Sequence, residues 1–275
     1  MIRDTFFCMP RFVNLCRKNM VESWRTNILR WVMMYGVMAI ILLWNAYFSY
    51  THKTELSHDK NVWQFGLIFF AWSLFAFGCL SASFTMDKMK TKTGRLAELM
   101  VPVTPFEKYF SRWIISTVVF LIVFLLAFRL ADYTRVLVYT IAYPDFKVIA
   151  PVPFSQLIGQ GENNYTLVRT VQQFYTLIAV YFFFQSCFVL GSSIWPKNAF
   201  LKTFASGVII VISYTLLILF LNDMLQIENR YYSFDSRLTQ EVGLTILCIS
   251  SWLFALLNWV LAYFRFKESE IINRM

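Results

Sequence analysis

Val62–Phe84 reads VWQFGLIFFAWSLFAFGCLSASF, an unbroken apolar stretch without a single charged residue. At ~1.5 Å per residue, a helix of ~20 residues crosses a hydrocarbon core of ~30 Å. This stretch is therefore long enough to span a bilayer. Five more stretches of that kind follow outward along the chain: Trp31–Tyr50, Trp113–Ala131, Val171–Trp195, Phe204–Asn222 and Val242–Phe264. None alternates polar and apolar residues as a barrel strand would, so each is expected to be a helix that satisfies its own backbone. Composition agrees: 58% of residues are hydrophobic, with 29 Phe, 14 Tyr and 9 Trp, against about 45–50% apolar in soluble domains. The chain reads as one all-α integral membrane domain over 1–275, a bundle of six transmembrane helices across 31–264.

Orientation follows from the basic residues, which accumulate on the cytoplasmic side of membrane proteins. Segments 1–30, 85–112, 196–203 and 265–275 hold 17 of the 25 Lys+Arg; segments 51–61, 129–170 and 223–241 hold the other 8. Both termini are therefore expected in the cytoplasm, with 86–112 a cytoplasmic loop and 132–170 and 223–241 outer loops. The net charge of +9 is then a topological signal, carried in short loops beside spans. It is not a nucleic-acid footprint, although some of these cations suit anionic lipid headgroups. The first apolar run starts too late for a signal peptide. Cys79, Cys187 and Cys248 fall in spans, and Cys8 and Cys16 on the inner side, so no disulfide is expected.

Residues 1–30 carry a helical stripe of Val13, Cys16, Met20 and Trp24, opposite Arg11, Lys18, Glu22 and Arg25. This predicts an amphipathic interfacial helix that feeds the first span, or one packed on the protein itself. In the second span Gly78 and Ala82 have the small-xxx-small spacing that allows close helix contact. The stretch VLVYTIAY, within the outer loop from Asp132, is apolar enough to lie on the membrane or cover the bundle.

Several chemistries are excluded by pattern. No GxxxxGK[ST] loop, HExxH or GxSxG occurs, so no enzyme activity, metal or cofactor is expected in the chain itself. His52, Glu55, His58 and Asp59 share one outer hairpin and are the residues nearest to a metal cluster, although a short polar turn needs such residues for solvation alone. Ionisable groups are nearly missing from the spans. Arg129 lies near the outer end of the third span, within reach of Asp132. Gln185 and Asn258 lie deep enough either to join helices by hydrogen bonds or to line a substrate route.

The loop MDKMKTKTGRLAELMVPVTPFEKYFSRW, Met86–Trp113, holds six of the chain's Lys+Arg. Met86–Met100 has helix-forming composition, with Leu96, Leu99 and Met100 as an apolar face. Pro102 ends that helix, because proline lacks a backbone N–H and disfavours helical geometry before it. Thr104-Pro105-Phe106-Glu107 starts another, with Thr104 as N-cap, Pro105 at N1 and Glu107 at N3 closing a capping box. Phe106, Tyr109, Phe110 and Trp113 then run at helical spacing into the third span. The result is a stiff turn at the inner face, suited to presenting a surface to a partner.

Gly94-Arg95-Leu96-Ala97-Glu98-Leu99 followed by Val101-Pro102-Val103-Thr104-Pro105-Phe106-Glu107 resembles the inner loop of the ABC-2 family of ABC exporter permeases. The plan of six spans, an N-terminal interfacial helix and inward termini is also similar, and LMVPVTPFEKYFSRW looks like permeases of Bacteroidetes-type bacteria. The chain departs from the family pattern at Thr93, where an acidic residue is expected, and in its long outer loop. The resemblance implies a permease subunit in a bacterial inner membrane, paired with a second copy or paralogue. A separate ABC ATPase subunit would bind ATP and Mg and drive outward transport of an amphipathic substrate. It also implies that Gly94, Leu96, Glu98, Leu99, Pro102, Thr104 and Glu107 form a coupling element docked on that ATPase. In that scheme Leu96 and Leu99 supply apolar contact, Glu98 a charge contact, and Pro102, Thr104 and Glu107 stiffness. The alternative reading is a non-transporting membrane scaffold or regulatory subunit that holds a cytoplasmic partner with the same loop.

Overall fold

The computed structural model describes residues 7–51, 58–142, 149–159, 166–224 and 236–271. Nine α-helices order the described residues: α1 (Met9–Glu22), α2 (Trp24–Thr51), α3 (His58–Ser83), α4 (Lys92–Leu99), α5 (Pro105–Ile114), α6 (Phe120–Ala142), α7 (Val171–Ile194), α8 (Ala199–Met224) and α9 (Ser236–Ile271). A single π-turn, Ile115–Val119, joins α5 to α6. Six helical segments are long and apolar enough to cross a membrane: Trp24–Tyr50, Val62–Ser83, Pro105–Ala142, Val171–Ile194, Ala199–Leu217 and Glu241–Ser269. The protein is thus all-α and multi-pass. Among the described residues the one β-like contact is a bridge between Ile158 and Val168.

The chain divides into two compact units, residues 1–81 with 103–174 and residues 82–102 with 175–275. In the first, α2 and α6 present matching rows at a spacing of four residues. Met34, Met38 and Leu42 of α2 meet Phe120, Phe124, Phe128, Ala127 and Ala131 of α6, with Phe70 of α3 against them. Rows at i±4 are the ridges that interlock when helices pack. The row continues through Ala46 and Tyr50 to Tyr139, Val62 and Ile149. Segment 149–158 closes over this end. Val152 is buried and packs where Gly66 of α3 has no Cβ to obstruct its methyl groups. α7 opens on a reciprocal cap that the sequence reading missed: Thr170 Oγ1 accepts the Gln173 N–H, and Gln173 Oε1 accepts the N–H groups of Arg169 and Thr170.

In the second unit α7 and α8 are joined by only Trp195–Asn198, as the short sequence interval predicted. Asn198 adopts φ 58°, a left-handed conformation that Asn tolerates better than most residues. Gly191 meets the Thr203 side chain with no room for a Cβ, and Phe188 stacks on Phe200 at 5.3 Å. Most of α8 is exposed along its length, as expected of a span whose surroundings are lipid or another apolar chain.

The third span is corrected most. The sequence predicts a span over Trp113–Ala131 entered by a helix that starts at Pro105; the helix does start there but runs on to Ala142, 38 residues, or ~57 Å at the usual rise. Residues 132–142, expected in the outer loop, are the end of α6. The VLVYTIAY stretch is mostly helical there too, up to Ala142. Charged residues ended the apolar window in the sequence, but here they are buried and partnered. Asp132 Oδ1 accepts from Arg135 Nε at 2.9 Å, its Oδ2 accepts the Val152 N–H at 2.7 Å, and Arg135 also donates to Ala150 O at 3.1 Å and to Tyr50 Oη at 3.4 Å. Arg129 turns to Val152 O at 3.1 Å and lies 3.6 Å from the Phe154 ring centroid, not to Asp132 as predicted.

Candidate functional site

The loop between the second and third spans begins with a 3-10 turn, Asp87–Lys90, in which Lys90 pairs with Asp87. Thr91 has extended backbone angles, φ −107° and ψ 151°, and its hydroxyl accepts the Gly94 N–H at 3.1 Å. It is the N-cap of α4, so the continuous helix expected over Met86–Met100 is broken at Thr91. Threonine stabilises such a start by ~1 kcal/mol. Gly94 has a steric reason: a Cβ there would collide with the carbonyl oxygen of Lys88. The 3-10 turn therefore folds back against the first turn of α4, and Arg95 Nη2 fastens it by donating to Met89 O at 3.3 Å.

α4 has two faces. Glu98 is buried at 7% exposure while Leu96 is 56% and Met100 80% exposed. Glu98 shares its side with Gly94, one turn back, and is turned into the chain. The Leu99 side chain lies outside the described residues. Pro102 follows the helix in the residues leading to α5, exposed and non-helical.

α5 starts as predicted. Thr104 (φ −63°, ψ 147°) is the N-cap, Pro105 stands at N1, and Thr104 Oγ1 accepts the Glu107 N–H at 3.4 Å. The backbone of Thr104 in turn interacts with the Glu107 carboxylate, as in a capping box. The sequence reading missed what else holds that carboxylate. Arg11 grips it with two bonds, Nε to Oε2 at 2.7 Å and Nη2 to Oε1 at 2.9 Å, and the Cys8 N–H donates to Oε1 at 2.7 Å. Cys8 is the residue before α1, and its own side chain makes no cap. Glu107 therefore serves both helix starts, placing negative charge where the orphan N–H groups are.

α1 lies on α5 through the face that carries Phe12, Leu15 and Asn19, all buried. Phe12 stacks on Phe110 with centroids 5.5 Å apart, and Asn19 Nδ2 donates to Ser111 Oγ at 3.1 Å. Phe106, Phe110 and Trp113 stack in a column along α5. The N-terminal helix packs on the protein itself through α5, and it ends at Ser23, with Trp24–Arg30 already in α2. Of the stripe seen in the sequence, Val13 is 51% exposed while Cys16 and Met20 are half-buried. Arg11, assigned by its charge to the polar side, instead reaches Glu107. Phe12 and Leu15 were the available sequence signal for this second face.

In the second unit Gln185 and Asn258 join helices. Asn258 Nδ2 donates to Ser186 Oγ at 3.0 Å and contacts Cys187 Sγ at 3.3 Å, and Trp259 Nε1 donates to Gln185 Oε1 at 3.4 Å. Both amides lie at the α7–α9 contact. A small cavity lies near Met89, Arg95, Ser193 and Phe266. His52 and Glu55 lie outside the described residues, as do the side chains of His58 and Asp59. Among the described residues no cluster of three or more metal-ligating side chains occurs. Compared with known proteins, the chain matches no protein family, no curated protein and no solved structure.

Proposed function

We propose that this chain is the transmembrane permease subunit of an ABC-2-type exporter, in which a separate ATPase subunit drives outward movement of an amphipathic substrate. The observation that carries the reading is the loop between the second and third spans. It sets a capped helix with Leu96 and Met100 exposed five residues before a second capped helix that continues into a span. Exposed apolar side chains on a short, locally braced helix beside a membrane suit docking on a partner. The basic residues around them, Lys88, Lys90, Lys92 and Arg95, favour a partner with an acidic rim. Glu107 and Thr104 act from the other side of the connection, stiffening the start of the third span rather than touching the partner. On this reading the chain works as a homodimer or with a paralogue in a bacterial inner membrane, with both termini in the cytoplasm.

The test is a mild-detergent pull-down of the tagged chain from its own host, with the eluate assayed for vanadate-sensitive ATP hydrolysis. A co-purifying P-loop subunit, lost with Leu96→Asp while the chain still inserts, supports the permease. An ATPase-free eluate containing another cytoplasmic protein favours the scaffold reading. Undiminished ATPase recovery with Leu96→Asp overturns the assignment of the docking face.

A further inference from the structure

The helix that carries Glu107 is interrupted within its apolar length. α5 gives way to the π-turn Ile115–Val119, and α6 resumes at Phe120. The Phe120 N–H donates to the carbonyl of Ile115, five residues back, where an α-helix would use Ser116. The Ser116 carbonyl instead accepts the hydroxyl of Ser81 from α3 at 3.2 Å. Ser116 and Thr117 are buried at 7% and 2% exposure, so this replacement bond is shielded from bulk water. π-Turns of this kind are uncommon and concentrate at functional sites.

What lies on either side makes the interruption mechanical. Beyond it, α6 is locked to α2 by the Phe120, Phe124 and Phe128 row and by Tyr139, whose hydroxyl donates to Leu43 O at 2.8 Å. Before it, α5 is tied to α1 by Glu107 with Arg11 and Cys8, and by Asn19 with Ser111. α1 ends at Ser23, whose φ −99° and ψ 11° are not helical, although Ser23 still donates to Asn19 O and accepts the Asn27 N–H. Two braced bodies thus meet at a place where the α-helical bond pattern is broken. The interrupted pattern has a ready alternative. The Phe120 N–H can move from Ile115 O to Ser116 O, while the Ser81 hydroxyl turns to a carbonyl of its own helix. Such a one-residue slip turns the preceding helix by ~100° and shifts it ~1.5 Å.

We propose that the Ile115–Val119 π-turn is a two-state hinge, at which α1 and α5 move as one body against α6. The Ser116 carbonyl exchanges between the Ser81 hydroxyl and the Phe120 amide. The hinge needs no partner and does not depend on the exporter assignment.

The experiment uses the full chain in lipid nanodiscs, with native cysteines replaced and spin labels at Lys18→Cys on α1 and Tyr133→Cys on α6. Ser81→Ala removes a bond that only the π-form makes, and is expected to shift the ratio of distance populations at least threefold towards the second state. Ser81→Thr keeps the hydroxyl and is expected to leave the ratio unchanged. A distance distribution that Ser81→Ala does not alter overturns the hinge. Hydrogen exchange on the unsubstituted chain is the second measurement and requires no variant. Peptides covering 115–121 are expected to exchange at least tenfold faster than those covering 122–130, and equal rates overturn the proposal.

Discussion

Arg11 and Glu107 stand 96 positions apart in sequence and meet through two hydrogen bonds, of 2.7 and 2.9 Å, on a carboxylate with no exposed surface. The pair fastens the N-terminal helix to the first turn of the third span. A bidentate guanidinium–carboxylate contact fixes orientation as well as distance. Its value here is positional: α1 cannot shift along α5 without breaking both bonds.

Arg11→Met is expected to destabilise the chain strongly, because it leaves the buried Glu107 charge without its cation, at a cost of about 3–5 kcal/mol. The double variant Arg11→Met, Glu107→Gln should recover part of that loss. Thermal unfolding in one detergent, run as a double-mutant cycle, measures the coupling. Additive losses from the two sites would contradict the contact.

Gly94→Ala should disturb the loop without preventing insertion. The added methyl collides with backbone at Lys88, so the 3-10 turn must move away from α4. Limited trypsin digestion of the intact chain in nanodiscs is expected to cut at Lys88, Lys90 and Lys92 several-fold faster than in the parent. An unchanged cleavage rate would show that the turn is not packed in this way.

On α6, Asp132→Asn leaves Arg135 buried without its counter-charge, again a loss of about 3–5 kcal/mol. Replacing both residues with apolar ones of similar volume should be milder. The segment at 150–152, held by these side chains, is expected to lose hydrogen-exchange protection in Asp132→Asn. Retained protection there would argue against the latch.

Asn258→Leu should cost far less, about 0.6–2 kcal/mol for a hydrogen bond between membrane helices. If the amide serves only to join α7 and α9, a small fall in melting temperature is the whole effect. A loss of transport out of proportion to that fall would instead place Asn258 and Gln185 on a substrate route.

Much of the loop was legible because its signals are local. Thr104-Pro105-Phe106-Glu107 predicted an N-cap, and the structure places it at those residues, since a cap is decided by four consecutive side chains and their backbone. Thr170 and Gln173 form a comparable cap that was overlooked beside the apolar run they introduce. Thr91 was hidden by helix-forming neighbours, although a threonine three residues before Gly94 was the available sign. The burial of Glu98 could not be read from its neighbours, because which side of α4 faces the chain is not a local property.

Six apolar lengths separated by charged intervals determined by themselves that the chain is helical and multi-pass, because lipid leaves backbone polar groups no other partners than their own helix. The sequence also determined where the loop helices restart. Tertiary structure alone decided that the third helix runs past its apolar window to Ala142, since only distant partners, Ala150, Val152 and Tyr50, make Asp132 and Arg135 tolerable there, and it alone supplied Arg11 for Glu107. It alone decided that α1 rests on α5 by Phe12 and Asn19 while Val13 is left outward. Burying a charge depends on what the fold brings to it, and no window of neighbouring residues contains that information.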